Sequence, residues 1–171
     1  MPTYLLTWNP KLWSNFEREE FAREVAITAS GKPYEMRWST GNRKNIRDGD
    51  RLFIVRLGVE PRGIFAAGWA VGKSLEDEHW DAKKAEKGRK MWYVNGRYYR
   101  ILNTEFPGFD LPLSTASFTS EPLSRVRWAP RTGGIEIPKS IAELLEELWE
   151  LHLEEVDRAR REISTNSDEN K

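Results

Sequence analysis

Residues 51–71 read Arg51-Leu-Phe-Ile-Val-Arg-Leu57, then Gly58-Val-Glu-Pro-Arg62, then Gly63-Ile-Phe-Ala-Ala-Gly-Trp-Ala-Val71. Both outer runs are apolar, carry β-branched and aromatic residues, and show no helical period. Gly58, Pro61 and Gly63 punctuate the interval between them. The pair predicts neighbouring strands over Arg51–Leu57 and Gly63–Val71, and so a sheet at the centre of the fold.

Toward the N-terminus, Pro2–Trp8 reads as a further strand that Asn9-Pro10 breaks. Ser14 and Glu17 form a capping-box pattern, opening a helix whose stripe is Ala22, Val25, Ala26 and Ala29 and whose stop is Gly31. Tyr34–Trp38 predicts a short strand, with a polar loop over Ser39–Gly49.

Toward the C-terminus, charge-rich Glu76–Lys90 reads as a surface helix or a loop. Asn95-Gly96 between Met91–Val94 and Arg97–Leu102 carries the signature of a type I′ hairpin. Phe106–Ser120 is irregular, and Trp128 precedes Pro130 at a strand end. A second capping box, Ser140 with Glu143, opens a long helix with Ile141, Leu145, Leu148, His152, Val156, Ala159 and Ile163 on one stripe. Acid leads this helix, and Arg158, Arg160 and Arg161 close it. Ser164–Lys171 has no apolar residue and reads as a frayed end or linker. The expectation is an α+β domain over residues 1–163, with about five mostly antiparallel strands in a curved sheet beside two helices, and a polar tail over 164–171.

A chain of 171 residues is long enough for one domain with its own core. The absence of Cys removes disulfides, thiolate metal sites and thiol nucleophiles. With only His79 and His152, no His-rich metal site can form. No apolar run approaches the ~20 residues of a membrane span, and no signal-peptide pattern opens the chain, so a cytoplasmic location is expected. Lys+Arg and Asp+Glu balance at 27 each. The balance hides a split: residues 1–138 hold 22 basic against 17 acidic residues, and residues 139–171 hold 5 against 10.

Three catalytic patterns are near misses. Ala67–Ser74 has the Gly-Lys-Ser ending of a phosphate-binding loop, but Ala67 replaces its first glycine and Trp69-Ala-Val71 its flexible residues. Asp48 and Asp50 could ligate a cation, yet with Gly49 they read better as a turn. Asp81-Ala-Lys83 resembles the end of a nuclease motif without its upstream carboxylate. No nucleophile–base pair can be assembled, so neither an enzyme nor a metal or other cofactor is expected.

Eight tryptophans are an excess that a core alone does not require. Taken singly, each is better read as core, because Trp is highly buried on average. Several nevertheless stand at element ends beside small polar residues: Trp8 before Asn9, Trp13 before Ser14, and Trp38 before Ser39-Thr40-Gly41-Asn42. Trp80 lies in the charged segment. An aromatic next to hydroxyl and amide groups suits stacking on a flat heterocycle while its edge is read. Arg37, Arg43, Lys44, Arg47, Lys83, Lys84, Lys87, Arg89 and Lys90 surround these positions and suit a phosphate backbone.

Tyr-Leu-Leu-Thr-Trp-Asn-Pro (4–10), Arg-Trp-Ser-Thr-Gly-Asn (37–42), Gly-Asp-Arg-Leu-Phe-Ile-Val-Arg (49–56), Pro-Arg-Gly-Ile-Phe-Ala-Ala-Gly-Trp-Ala-Val (61–71) and Trp-Ala-Pro-Arg-Thr-Gly-Gly-Ile (128–135) follow in an order that resembles the EVE domains of the PUA-like superfamily. The likeness is greatest to those attached to modification-dependent restriction enzymes of the HNH or McrB type. YTH readers of methylated adenine are more distantly similar. The resemblance implies a PUA-like curved sheet or partial barrel. It also implies a non-catalytic sensor of 5-methylcytosine, 5-hydroxymethylcytosine or 6-methyladenine, flipped out of duplex DNA to direct a nuclease domain or subunit. Under it Trp38 is one wall of the base pocket, Ser39 faces the base edge, and Trp8 and Asn9 border it. Trp80 is the second wall, with Trp92 as the alternative. A modified-RNA reader, and a protein-interaction module using the acidic last helix, remain the competing expectations.

Overall fold

The computed structural model describes residues 1–12, 17–105 and 110–170. Its strands are β1 (Thr3–Trp8), β2 (Tyr34–Gly41), β3 (Arg51–Arg56), β4 (Gly63–Glu78), β5 (Lys90–Ile101) and β6 (Ile135–Ile137). They form one sheet in the order β2-β5-β4-β3-β1-β6. Every neighbouring pair is antiparallel except β1 with β3, which run parallel from Thr3 opposite Arg51 to Trp8 opposite Arg56. The helices are α1 (Arg18–Ala29), α2 (Ala82–Glu86) and α3 (Lys139–Glu169). The expected α+β architecture, a mostly antiparallel sheet flanked by helices, is the one observed. Among the described residues no helix is long and apolar enough to cross a membrane.

The strand pair at 51–71 lies at the centre of the core. Leu52, Phe53, Ile54 and Val55 are all fully buried, which a continuous apolar run requires of a strand covered on both faces. Two arginines close its ends. The Arg51 guanidinium lies 3.9 Å from the Trp69 ring centre and donates to Glu146 of α3 at 2.7 and 3.1 Å. Arg56 donates to Glu105 at 2.8 and 3.2 Å and to the carbonyls of Val59 and Pro61, fixing the 57–62 turn. The α3 helix is held on the sheet by Trp149, edge-on to Phe53 at 6.1 Å, and by the ion pair from Arg100 to Asp157; Arg160 pairs with Asp110 in the irregular chain after β5.

Several local expectations are corrected. No hairpin forms at Asn95-Gly96: β5 runs straight through it, paired with β2 and β4. Gly96 is required by packing, since a Cβ there would meet the fully buried Tyr98 ring at 2.6 Å. The β4 strand continues past Val71 to Glu78, so the charged segment begins as strand and only Ala82–Glu86 is helical. The β2 strand extends to Gly41, taking in residues expected to be loop. Trp128 is buried in irregular chain, not at a strand end.

The helix faces also differ. The buried stripe of α1 is Phe21, Val25 and Thr28, whereas Ala22, Ala26 and Ala29 are exposed. Its N-cap is Glu17; Ser14, like Trp13, lies outside the described residues. In α3 the buried set is Ile141, Ala142, Leu145, Trp149, Leu153 and Val156, while Ala159 and Ile163 face solvent. Pro138 is its N-cap, so Ser140 lies inside the first turn and makes no cap hydrogen bond. The helix continues through the polar stretch 164–169, so Arg158–Arg161 stand within it instead of closing it.

Candidate functional site

The ends of β1 and β2 meet beside the start of β5 and enclose a cavity of about 460 Å³. This lies within the ~300–1,000 Å³ range of ligand pockets. Trp38 is positioned first: its indole N–H donates to the Thr7 carbonyl of β1 at 2.9 Å, tying the two strand ends together. The register between β2 and β5 shifts between Ser39 and Gly41, a bulge that re-aims the side chains there. Ser39 Oγ donates to the Met91 sulfur at 2.7 Å and accepts the Gly41 N–H at 3.2 Å. Gly41 has φ +62°, and a Cβ on it would lie 2.8 Å from the Gly133 carbonyl oxygen. Glycine here lets the 129–133 loop close the cavity.

The opposite side comes from the β4–α2 connection. His79 and Trp80 have ring centres 5.1 Å apart, and Trp80 is 37% exposed, the exposure of a ring at a cavity mouth. His79 Nδ1 accepts the Asp81 N–H at 2.9 Å, so the neutral ring carries its proton on Nε2. Burial lowers the His79 pKa; the nearby Lys84 and Arg89 lower it further, against the opposing pull of Asp81. Leu57, Met91 and Asn9 also line the cavity, and Asn9 Oδ1 accepts the Lys11 N–H.

Of the residues singled out in the sequence, Trp8, Asn9, Trp38, Ser39, Trp80 and Lys84 line this one cavity. Trp8 is principally core, 4% exposed, with its ring 5.2 Å from Phe65 and 5.9 Å from Phe21. Thr40 is fully buried and its hydroxyl donates to the Arg43 carbonyl, so it shapes the turn and does not face the cavity. Asn42 belongs to a neighbouring depression, and Trp92 is not among the lining residues. Arg37 is paired with Asp77 at 2.7 Å and lies over the Tyr93 ring. Lys83 stands on α2, and Arg89 follows its terminal glycine.

The neighbouring depression, about 520 Å³, shares residues 130–133 with the cavity. Arg43, Lys44, Arg127 and Arg131 line it, and among the described residues no carboxylate does. Sequence reasoning did not assign a site role to Arg127, Arg131, His79, Leu57 or Met91. The Arg-Thr-Gly-Gly run at 131–134 is the one local signal, because a glycine pair between an aromatic and a strand marks close backbone approach.

The near-miss motifs have structural roles. Asp48 accepts the Gly72 N–H and Asp50 the Arg47 N–H, so both carboxylates brace a turn. Asp81 caps α2 by accepting the Lys83 N–H. Ala67–Ser74 is part of β4. His152 bonds to the Leu111 carbonyl and stacks on Trp149.

The sequence matches no family model and no curated protein. The fold does have solved counterparts. The protein PSPTO5229 from Pseudomonas syringae superposes with a TM-score of 0.57 at 12% identity, over 85% of this chain and 99% of that one. A hypothetical protein from Leishmania major superposes with a TM-score of 0.55 at 14% identity, over 88% and 96%. At these identities the likeness is one of fold: the chain has the architecture of both proteins across nearly their whole length.

Proposed function

We propose that the chain is a sensor of a modified base flipped out of duplex DNA, directing a nuclease in the same protein or complex. The observation that carries this reading is the convergence of Trp38, Trp80, Ser39 and Asn9 on one cavity beside a depression lined by four cations. Two indoles and two short polar side chains suit a flat, hydrogen-bonding heterocycle. The cationic neighbour suits the phosphodiester that must accompany it. The resemblance of residues 4–10, 37–42, 49–56, 61–71 and 128–135 to EVE domains supports DNA as the source of the base.

The energetics fit this assignment. Flipping costs a few kcal/mol of unstacking, and stacking on aromatics returns ~1–3 kcal/mol per base. Burying one methyl group adds about 0.8 kcal/mol. Discrimination between modified and unmodified bases then depends on fit against Met91 and Leu57 as well as on methyl burial.

An affinity panel of duplexes carrying 5-methylcytosine, 5-hydroxymethylcytosine, 6-methyladenine or no modification tests the reading. The wild type is expected to prefer one modified duplex. Trp80→Ala is expected to remove that preference without lowering the melting temperature, because the ring is partly exposed. Trp38→Phe keeps an aromatic wall but loses the bond to Thr7, so it is expected to retain preference with reduced stability. Equal affinity of the wild type for all duplexes would sink the proposal, and preference for modified single-stranded RNA would redirect it to RNA.

A further inference from the structure

Eight arginines of the described chain are paired with a carboxylate: 37, 51, 56, 62, 97, 100, 125 and 160. Arg127 and Arg131 are among those that are not. Both are exposed, and neither has a carboxylate partner among the described residues. They line the depression beside the aromatic cavity together with Lys44 and Arg43. Leaving like charges together on a protein surface costs stability, and an anionic ligand offsets that cost.

The floor of this depression is rigid. Arg43 Nε donates to the Gly134 carbonyl at 2.7 Å, and the Gly134 N–H donates to Leu5 of β1 at 2.8 Å. The 40–43 turn and the 131–134 loop are thereby fastened to each other and to the sheet. Arg131 lines both the depression and the aromatic cavity. A group held at one is therefore within a side chain's reach of a group held at the other.

We infer that this depression is a phosphodiester-binding subsite, in which Arg127 and Arg131 hold the backbone phosphate next to the nucleotide whose base enters the Trp38–Trp80 cavity. The inference rests on the base-reading proposal for its ligand, but its geometry is separate. Asn42 and Thr132, which also line the depression, supply neutral donors beside the two guanidinium groups. The subsite reads no sequence; it fixes register and adds affinity common to all duplexes.

The test measures binding of modified and unmodified duplexes across a salt series for wild type, Arg127→Gln/Arg131→Gln and Arg127→Lys/Arg131→Lys. Both side chains are exposed, so neither variant should melt below the wild type, and the Gln pair should melt at or slightly above it. The Gln pair is expected to weaken both duplexes by the same factor and to reduce the slope of log K against log salt by about two. The Lys pair should restore the slope, because phosphate contact needs the charge. An unchanged slope and affinity in the Gln pair overturns the subsite even if the wild type discriminates modified bases. A reduced slope supports it even if the wild type does not discriminate, in which case base reading alone has failed. If the Gln pair loses binding of inorganic phosphate yet holds DNA as before, the site serves a free anion and the inference falls.

Discussion

Gly96 shows how one missing side chain sets a strand. Its Cα faces the ring of Tyr98, fully buried, at a separation that leaves no room for a methyl group. Gly96→Ala is therefore expected to destabilise the fold by about 1–3 kcal/mol through overpacking. Chemical denaturation measures that loss, and Tyr98→Leu in the same chain should relieve part of it. The Asn-Gly pair was misleading for a physical reason. Turn propensity is a local preference, and burial of an aromatic two residues away outweighs it. Trp38 and Ser39 were legible because their pocket character is local, an aromatic beside a hydroxyl where a strand gives way to polar residues. His79 and Met91 carried no such mark. They reach the cavity through the pairing of β4 with β5, which no short stretch of sequence encodes.

At the level of elements, the connection from β4 through α2 to β5 is where the cavity is most sensitive to pH. His79 holds the Asp81 amide through Nδ1, and Asp81 in turn caps α2. Its folded pKa lies below the unfolded value of about 6.5, chiefly because of burial. Between those two values the unfolded chain binds more protons than the native one. The contribution of His79 to stability is thus complete above about pH 6.5 and is lost as pH falls through the folded value. The protection factor of the Asp81 amide, its exchange rate relative to the intrinsic rate at the same pH, should fall on acidification through this window, since a protonated Nδ1 no longer accepts. In His79→Gln that protection should not follow pH in this way. Strands β3 and β4 were legible because a buried strand leaves a continuous apolar run. The buried face of α1 was not, because its alanines are as apolar as a stripe demands while Phe21 and Thr28 make the contacts.

At the scale of the whole molecule, α3 is the most extended part. Its 31 residues span about 46 Å at 1.5 Å each, yet its last buried side chain is Val156 and, among the described residues, its last ion pair to the rest of the fold is from Arg160 to Asp110. Truncation after Glu162 is expected to leave the thermal midpoint unchanged, because no buried contact is removed; differential scanning calorimetry reads this directly. The class of fold was legible from strand and helix counts. The strand order was not, because the parallel pairing of β1 with β3 and the closing of β6 onto β1 depend on contacts far apart in the chain. That order bears on biosynthesis. Strand β1 has Arg51–Arg56 as one neighbour and Ile135–Ile137 as the other, both later in the chain. Its second edge remains open until residue 137 has been made, and the loop-closure entropy of both pairings precedes their reward. The cavity, whose lining runs in the chain from Thr7 to Gly133, is among the last features to form. A nascent or truncated chain carries an unpaired apolar β1 edge, a template for association, before it carries any capacity to bind.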